Sequence, residues 1–330
     1  MPSPSVTAVH PLSAIEGGRI TIQGSGFPID GPLLPEVRIG DARARLVFAS
    51  STTLTAIVPE GLESGRATVR VAGVPGETAF IDVAASFATG LHQVDNPVFD
   101  ADGNLYVTYS GTRGEQVPVS IFRVRPNGTR ETFSSGIVNP TSMAIDPRGR
   151  LYVSSRFEGT VYRVADDGTT EPFANDLGVA CGLAFAEDGT LFVGDRSGTI
   201  FKVDAAGHAT TFASLPASIA AFHLAMGPDG ALYVTGPTFA SYDSLYRIDR
   251  DGSVASTYTG FGRPQGLAFD RQGTLFVVEA LAGTSGLYRV RPGAAPELVL
   301  AGPGLVGVAF DAKGTLVVAS NETAYRLVPV

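Results

Sequence analysis

The chain has 330 residues, 44% of them hydrophobic and 17% charged, with 40 glycines, 22 prolines and a net charge of −8. That length accommodates two domains of ordinary size, and the glycine- and proline-rich, charge-poor balance favours short strands and tight turns over amphipathic helices. Without a Lys/Arg cluster the chain lacks the charge needed to neutralise phosphates, which excludes nucleic acid as a partner, and no apolar run approaches the ~18 residues of a helical membrane span.

The opening stretch, MPSPSVTAVH, carries neither the basic segment nor the apolar core of an export signal. As given, the chain reads as soluble, and as exported only if a leader has been removed. A single cysteine, Cys181, rules out an internal disulfide framework and leans toward a reducing, cytoplasmic compartment.

Residues 1–83 alternate apolar and polar side chains between Gly/Pro turns: PSVTAVHPLSAIEGGRITIQGSGF, then VRIG, STTLTAIVP and GRATVRVAG. Such spacing predicts an antiparallel β-sandwich. Gly24-Ser25-Gly26 is a sandwich turn rather than a phosphate loop, since no helix or third spaced glycine follows. Pro11, the Gly17-Gly18 pair, Gly24-Ser25-Gly26-Phe27 and Val58-Pro59 resemble the IPT/TIG family of immunoglobulin-like domains. The resemblance implies a spacer or an interaction module with a protein partner. The last sandwich strand, TAFIDV, runs almost directly into ASFATG, so the sequence predicts no flexible linker.

Residues 84–330 repeat. Six times an apolar strand is followed by a turn glycine and a second strand of the Leu-Tyr-Val type; the glycines are Gly103, Gly149, Gly189, Gly230, Gly273 and Gly314, spaced 40 to 46 residues apart. That is the length of one four-stranded propeller blade. A second hairpin follows at Gly128, Gly168, Gly207, Gly252 and Gly293, and outer strands centre on Phe133, Phe173, Phe212, Tyr258 and Val299. The sixth unit shows no outer strand. The missing copy stands before the first unit, where ASFATG around Phe87 matches ETFSSG around Phe133. The predicted fold is therefore all-β: an immunoglobulin-like sandwich plus a six-bladed β-propeller whose ring is closed by an N-terminal outer strand, leaving no unpaired edge.

The a–b and c–d hairpins share one face of such a propeller, so the other face gathers the b–c loops and the connections into each inner strand. Blade 1 carries the longest b–c loop, YSGTRGEQVPVS, and blade 4 the next, TGPTFASYDS. These predict a rim with Tyr109, Arg113, Tyr242 and Asp243. At the start of the inner strands stand Asp95, Thr141, Cys181, Phe222, Gln265 and Val306; at the ends of the second strands stand Tyr109, Ser155, Asp195, Gly236, Glu279 and Ser320. Arg156, Arg196, Asn321, His92 and His223 flank them.

Asp95, Asp195 and Glu279 are expected to face one mouth, where close carboxylates need a cation or proton to coexist. A hard metal with oxygen ligands would meet that need. The alternative is that Asp195 pairs locally with Arg196 and Arg156 while Glu279 is solvated at the rim. Cys181, in the small-residue run VACGLAF, reads as a buried small hydrophobe, and His223 as a packed or rim histidine. DADGN at 100–104 resembles the opening of a calcium loop but stands where every other blade has its hairpin, so it reads as a turn.

The repeats, NPTSMAIDPRGRLYVSSRFEGTVYRV being the clearest, resemble NHL repeats and the gluconolactonase or senescence-marker family; they are also similar to streptogramin lyases. The first of these resemblances implies a divalent metal in the funnel, held by a Glu before the first inner strand and Asn and Asp before later ones. The matching positions here carry Asp95, Cys181 or Phe222, and Gln265. The lyase's His-and-Glu set has no match. The leading expectation is a binding propeller with a mixed polar and apolar funnel for a small molecule or peptide. The alternative is a metal-dependent lactonase or esterase in which Asp95, Asp195 and Glu279 hold Ca2+ or Zn2+ and the metal activates water.

Overall fold

The computed structural model describes residues 4–31, 33–75 and 79–327, and every regular element in them is a strand. The tail Val328–Val330, part of the expected closing strand, lies outside the described residues.

Five four-stranded sheets stand separately. Blade 1 runs from Val98–Phe99 through Leu105–Thr108 and Ile121–Val124 to Arg130–Ser134; blades 2, 3 and 4 repeat the meander from Pro140, Ala180 and His223. The last separate sheet, Leu305–Phe310, Leu316–Ser320 and Thr323–Leu327, takes its outer strand from Ala85–Thr89, with Thr323 opposite Thr89 and Arg326 opposite Ala85. The ring is thus closed by the segment around Phe87.

Six separate blades were expected, and this is corrected. The strands of the fifth repeat, Pro264–Phe269, Leu275–Glu279, Gly286–Val290 and Glu297–Ala301, belong to a twelve-stranded sheet that continues into the sandwich. The connector is the two-residue strand Ser13–Ala14, which pairs in parallel with Ala79–Val83 on one side and with Glu297–Ala301 on the other. Two residues of pairing are invisible to periodicity. The Ile15 amide also donates to Ala301 O at 2.9 Å. Gly18 sits so close that a Cβ there would stand 2.4 Å from Ala301 O, which only glycine tolerates. Part of the Gly17-Gly18 word therefore serves the seam between sandwich and propeller, and the two parts share a continuous hydrogen-bonded sheet.

In four of the six repeats the hairpin between the first two strands is closed by an aspartate, Asp100, Asp146, Asp270 or Asp311, as well as a glycine. In blade 2, Gly149 N donates to Asp146 O at 2.9 Å while Asp146 Oδ1 accepts from Arg148 N and Arg150 N at 2.9 Å each. Asp100 does the same for Asp102 and Asn104 in DADGN, which is a hairpin turn. Between blades the core is aliphatic with edge-on aromatic pairs: Tyr106–Phe133 at 4.9 Å, Tyr152–Phe185 at 4.9 Å and Tyr233–Phe269 at 5.1 Å. Each such pair adds roughly 0.5–1.5 kcal/mol beyond the area it buries. Apolar residues thus hold neighbouring blades together, and polar residues collect at the axis.

Candidate functional site

The segment Gln93–Asn96, ahead of the first inner strand, crosses the axis and floors the funnel. Gln93 is fully buried; its Oε1 accepts from Thr108 N at 2.8 Å and its Nε2 donates to Asp95 O at 2.6 Å. Asn96 Nδ2 donates to Leu267 O at 2.8 Å, and its Oδ1 accepts from Val308 N at 2.9 Å. One asparagine from blade 1 thereby ties the inner strands of the fifth and sixth repeats.

Asp95, 1% exposed, accepts from Asn96 N at 2.7 Å and meets His223 Nδ1 at 2.5 Å. The histidine is wholly buried and comes from blade 4, three places round the ring, so this pair bridges the axis. A hydrogen bond to the carboxylate requires the proton on Nδ1. Nε2 has no partner among the described residues.

Above this floor lies a cavity of 280 Å³ lined by residues of all six repeats, among them Val94, Arg156, Cys181, Ala221, Gln265 and Asn321. Of the residues expected at the mouth, Arg156, Cys181, Arg196, Gln265, Asn321 and Val306 do line it. Asp95 and His223 lie beneath as its support. Thr141 is buried in its own blade, with its hydroxyl on Asn139 O at 3.1 Å. Tyr109 packs edge-on against His92 at 5.9 Å and Phe122 at 6.2 Å, away from the lining. Tyr242 is 65% exposed on the blade-4 loop, and Arg113 is exposed on the blade-1 loop. That long loop is pinned by Asn139, whose Nδ2 donates to Ser110 O and Thr112 O and whose Oδ1 accepts from Gly114 N.

Phe222 is a correction. The repeat register predicts it in the funnel, but it is 1% exposed inside the core between blades 3 and 4, so near Gly236 that a Cβ there would stand 2.6 Å from its ring. The inner strands of blades 2 and 3 slip register near their start, between Pro140 and Met143 and between Ala180 and Leu183. Blade 4 pairs without a slip from His223 onward. One residue of slip exchanges the faces of a strand, so His223 takes the axial position and Phe222 the core.

The carboxylates proposed as metal ligands are occupied elsewhere. Asp195 Oδ1 accepts from Val179 N at 2.8 Å, and its Oδ2 takes the Ser197 hydroxyl. Glu279 accepts three backbone amides: Gly262 at 2.6 Å, Arg263 at 2.8 Å and Leu281 at 2.7 Å. Both tie the end of a second strand to the loop entering the same blade, a fixed-offset role shared with Ser155, whose hydroxyl donates to Val138 O at 2.6 Å. Among the described residues no three His, Cys, Asp or Glu side chains form a metal-holding group. Nor does Asp195 pair with Arg196 or Arg156, and Glu279, 3% exposed, is not a solvated rim residue.

Burial pushes the Cys181 thiol up to about 12, so it is neither nucleophile nor thiolate ligand. The Arg156 guanidinium is held below its ordinary value by burial and by the nearby cations Arg196 and Arg113, against an opposing pull from Cys181. His92 is lowered by burial and by Arg156. The sequence reading missed Gln93, Val94, Val179 and the Ile219–Ala221 stretch, all on segments leading into inner strands. Counting from those loops, rather than from the strand starts, would have found them.

Residues 4–86 match the model of the IPT/TIG domain family. No curated protein matches the sequence. In fold, the chain is similar to an auxiliary nutrient binding protein from Bacteroides ovatus, with 16% identity over 98% of each chain and a TM-score of 0.54. It is also similar to a gluconolactonase from Xanthomonas campestris, with 16% identity over 74% of this chain and 89% of that one and a TM-score of 0.62. A third likeness is virginiamycin B lyase from Staphylococcus aureus, solved with quinupristin, with 16% identity over 90% and 95% of the two chains and a TM-score of 0.53. At such identities the likeness carries the fold, an all-β propeller with an immunoglobulin-like domain at the N-terminus. Among the described residues no helix is long and apolar enough to cross a membrane. The cytoplasmic lean, taken from one cysteine, draws no support from these relatives.

Proposed function

We propose that the propeller mouth binds a small molecule and that the sandwich is an accessory module carried rigidly beside it. The observation behind this reading is the axial cavity of 280 Å³, to which every repeat contributes and in which guanidinium and amide groups alternate with apolar walls. That volume lies just below the ~300–1,000 Å³ usual for ligand sites, which fits a small ligand, and such mixed lining is typical of them. The full-length likeness to a nutrient binding protein is in keeping with it.

The alternative, a metal-dependent lactonase or esterase, needs carboxylate oxygens converging on one point. Asp195 and Glu279 instead use both of their oxygens on loop amides and a hydroxyl, and Asp95 faces His223. The residues present do not fit the cation.

The test is a thermal-shift screen of sugars, amino acids and short peptides, with hits confirmed by calorimetry, on the native chain and on Ala221→Trp. Ala221 lines the cavity, and an indole there would obstruct it. Binding is expected to disappear in the variant. Hits that bind both proteins alike would place recognition elsewhere. Lactone turnover that depends on added Ca2+ or Zn2+ and is lost in Asp95→Ala would overturn the proposal in favour of the hydrolase.

A further inference from the structure

Several arginines on the blade flanks are neutralised: Arg123 and Arg125 by Glu131, Arg150 by Asp146, Arg163 by Glu171, Arg247 by Asp229 and Asp249, and Arg289 and Arg291 by Glu297. Others, Arg130, Arg148, Arg250, Arg271 and Arg326 among them, form no ion pair among the described residues. Among the described residues no ion pair includes Arg113, Arg156 or Arg196. What sets Arg156 and Arg196 apart from the other unpaired arginines is that they line the axial cavity.

Their positions are related. Arg156 and Arg196 each stand one residue past the second strand of consecutive blades, Leu151–Ser155 and Leu191–Asp195, and both line the axial cavity. The neighbouring acid that could neutralise Arg196 is Asp195, which turns to the Val179 amide and the Ser197 hydroxyl. Asp95, below the floor, is spent on His223 and the Asn96 amide. Glu322, beside Asn321, is exposed at the rim near His92. Arg156 is half-buried, and Arg113 and Arg196 are close enough to disfavour its charge. Guanidinium does not escape such repulsion by losing its proton. An anion between the two forks relieves it, and planar oxyanions match the fork in bidentate fashion.

We propose that the mouth selects a small molecule bearing a carboxylate or phosphate, gripped by Arg156 and Arg196. The uncharged remainder of the ligand lies against Val94, Ile219 and Val306, with the Gln265 amide and the Asn321 Oδ1 available to hydroxyl groups, the Asn321 Nδ2 donating to Gln93 O at 3.0 Å. The inference rests on the binding reading above and names the chemical class of its ligand.

Calorimetry with D-glucuronate, D-glucose 6-phosphate and neutral D-glucose tests it on the native chain, Arg156→Ala, Arg156→Lys, Arg196→Ala and Ala221→Trp. At least one anionic sugar is expected to bind about tenfold or more tightly than glucose, and which one separates carboxylate from phosphate. Its affinity should fall with added salt and drop about tenfold or more in each alanine variant, with Arg156→Lys in between. Arg196 is exposed, so its alanine variant keeps the test open should Arg156→Ala fold poorly. The inference is overturned if neither anion binds at millimolar concentration, if glucose binds equally well, or if both alanine variants bind as the native chain does. Neutral binding that Ala221→Trp abolishes and the arginine variants leave intact would sink this inference while keeping the binding site; binding indifferent to Ala221→Trp would sink both.

Discussion

Replacing Glu279 by alanine separates a structural carboxylate from a metal ligand. The side chain is 3% exposed and accepts the amides of Gly262, Arg263 and Leu281 at 2.6 to 2.8 Å. Hydrogen bonds to a charged group contribute about 1.5–3 kcal/mol each. Arg263 and Leu281 lie at an exposed corner where water would replace part of what is lost, so the three together are expected to cost about 3–5 kcal/mol on removal. For a chain longer than 250 residues each kcal/mol lowers the midpoint by about 2 °C, giving a fall of roughly 6–10 °C. Differential scanning calorimetry in chelator-containing buffer is the assay. Glu279→Gln should lie between, because its amide oxygen still accepts while its NH2 cannot. A metal ligand would behave in the opposite sense: without metal, its removal relieves like-charge repulsion and leaves the midpoint unchanged or higher. An unchanged or raised midpoint in Glu279→Ala, with chelator destabilising the native chain, would refute the reasoning.

Asp95→Ala should lower stability by about 1–3 kcal/mol in denaturant unfolding, since it leaves the buried His223 Nδ1 at the axis without its acceptor. Adding His223→Leu should recover part of that loss; strict additivity would show that the two side chains do not act as a pair. With its thiol pushed up to about 12, Cys181 should resist iodoacetamide at pH 8 in the folded protein and react fully in denaturant, as read by mass spectrometry. Gly18→Ala places a methyl 2.4 Å from Ala301 O and should cost about 1–3 kcal/mol, with faster proteolysis near the seam. Cleavage at the native rate would mean that the seam does not hold the sandwich.

Much of the architecture was legible because it is locally encoded. A blade is a run of adjacent strands, and each hairpin carries its own turn residues, Asp146 with Gly149 being one example; the offset outer strand around Phe87 announced the ring closure by its likeness to the stretch around Phe133. The fused fifth repeat was not legible, because its link to the sandwich is a two-residue strand whose partners lie far along the chain. Site residues divide the same way. Arg156, Cys181, Arg196, Gln265 and Asn321 follow the repeat register and do reach the cavity. Phe222 follows it as well and does not, because a side chain's face depends on whether the strand slips by one residue, and that is settled by pairing rather than by composition. The carboxylates show the same limit. Counting positions put Asp95, Asp195 and Glu279 near one mouth; Asp95 is taken up by a histidine 128 residues away that meets it only once the ring has closed, while Asp195 and Glu279 are taken up by loop amides 16 and 17 residues back that meet them when their own blade folds. Period, turns and strand number were therefore properties of the amino-acid order; which carboxylates are spent and which guanidiniums reach the cavity was decided by folded contacts, within one blade for Asp195 and Glu279 and across the ring for Asp95 and His223.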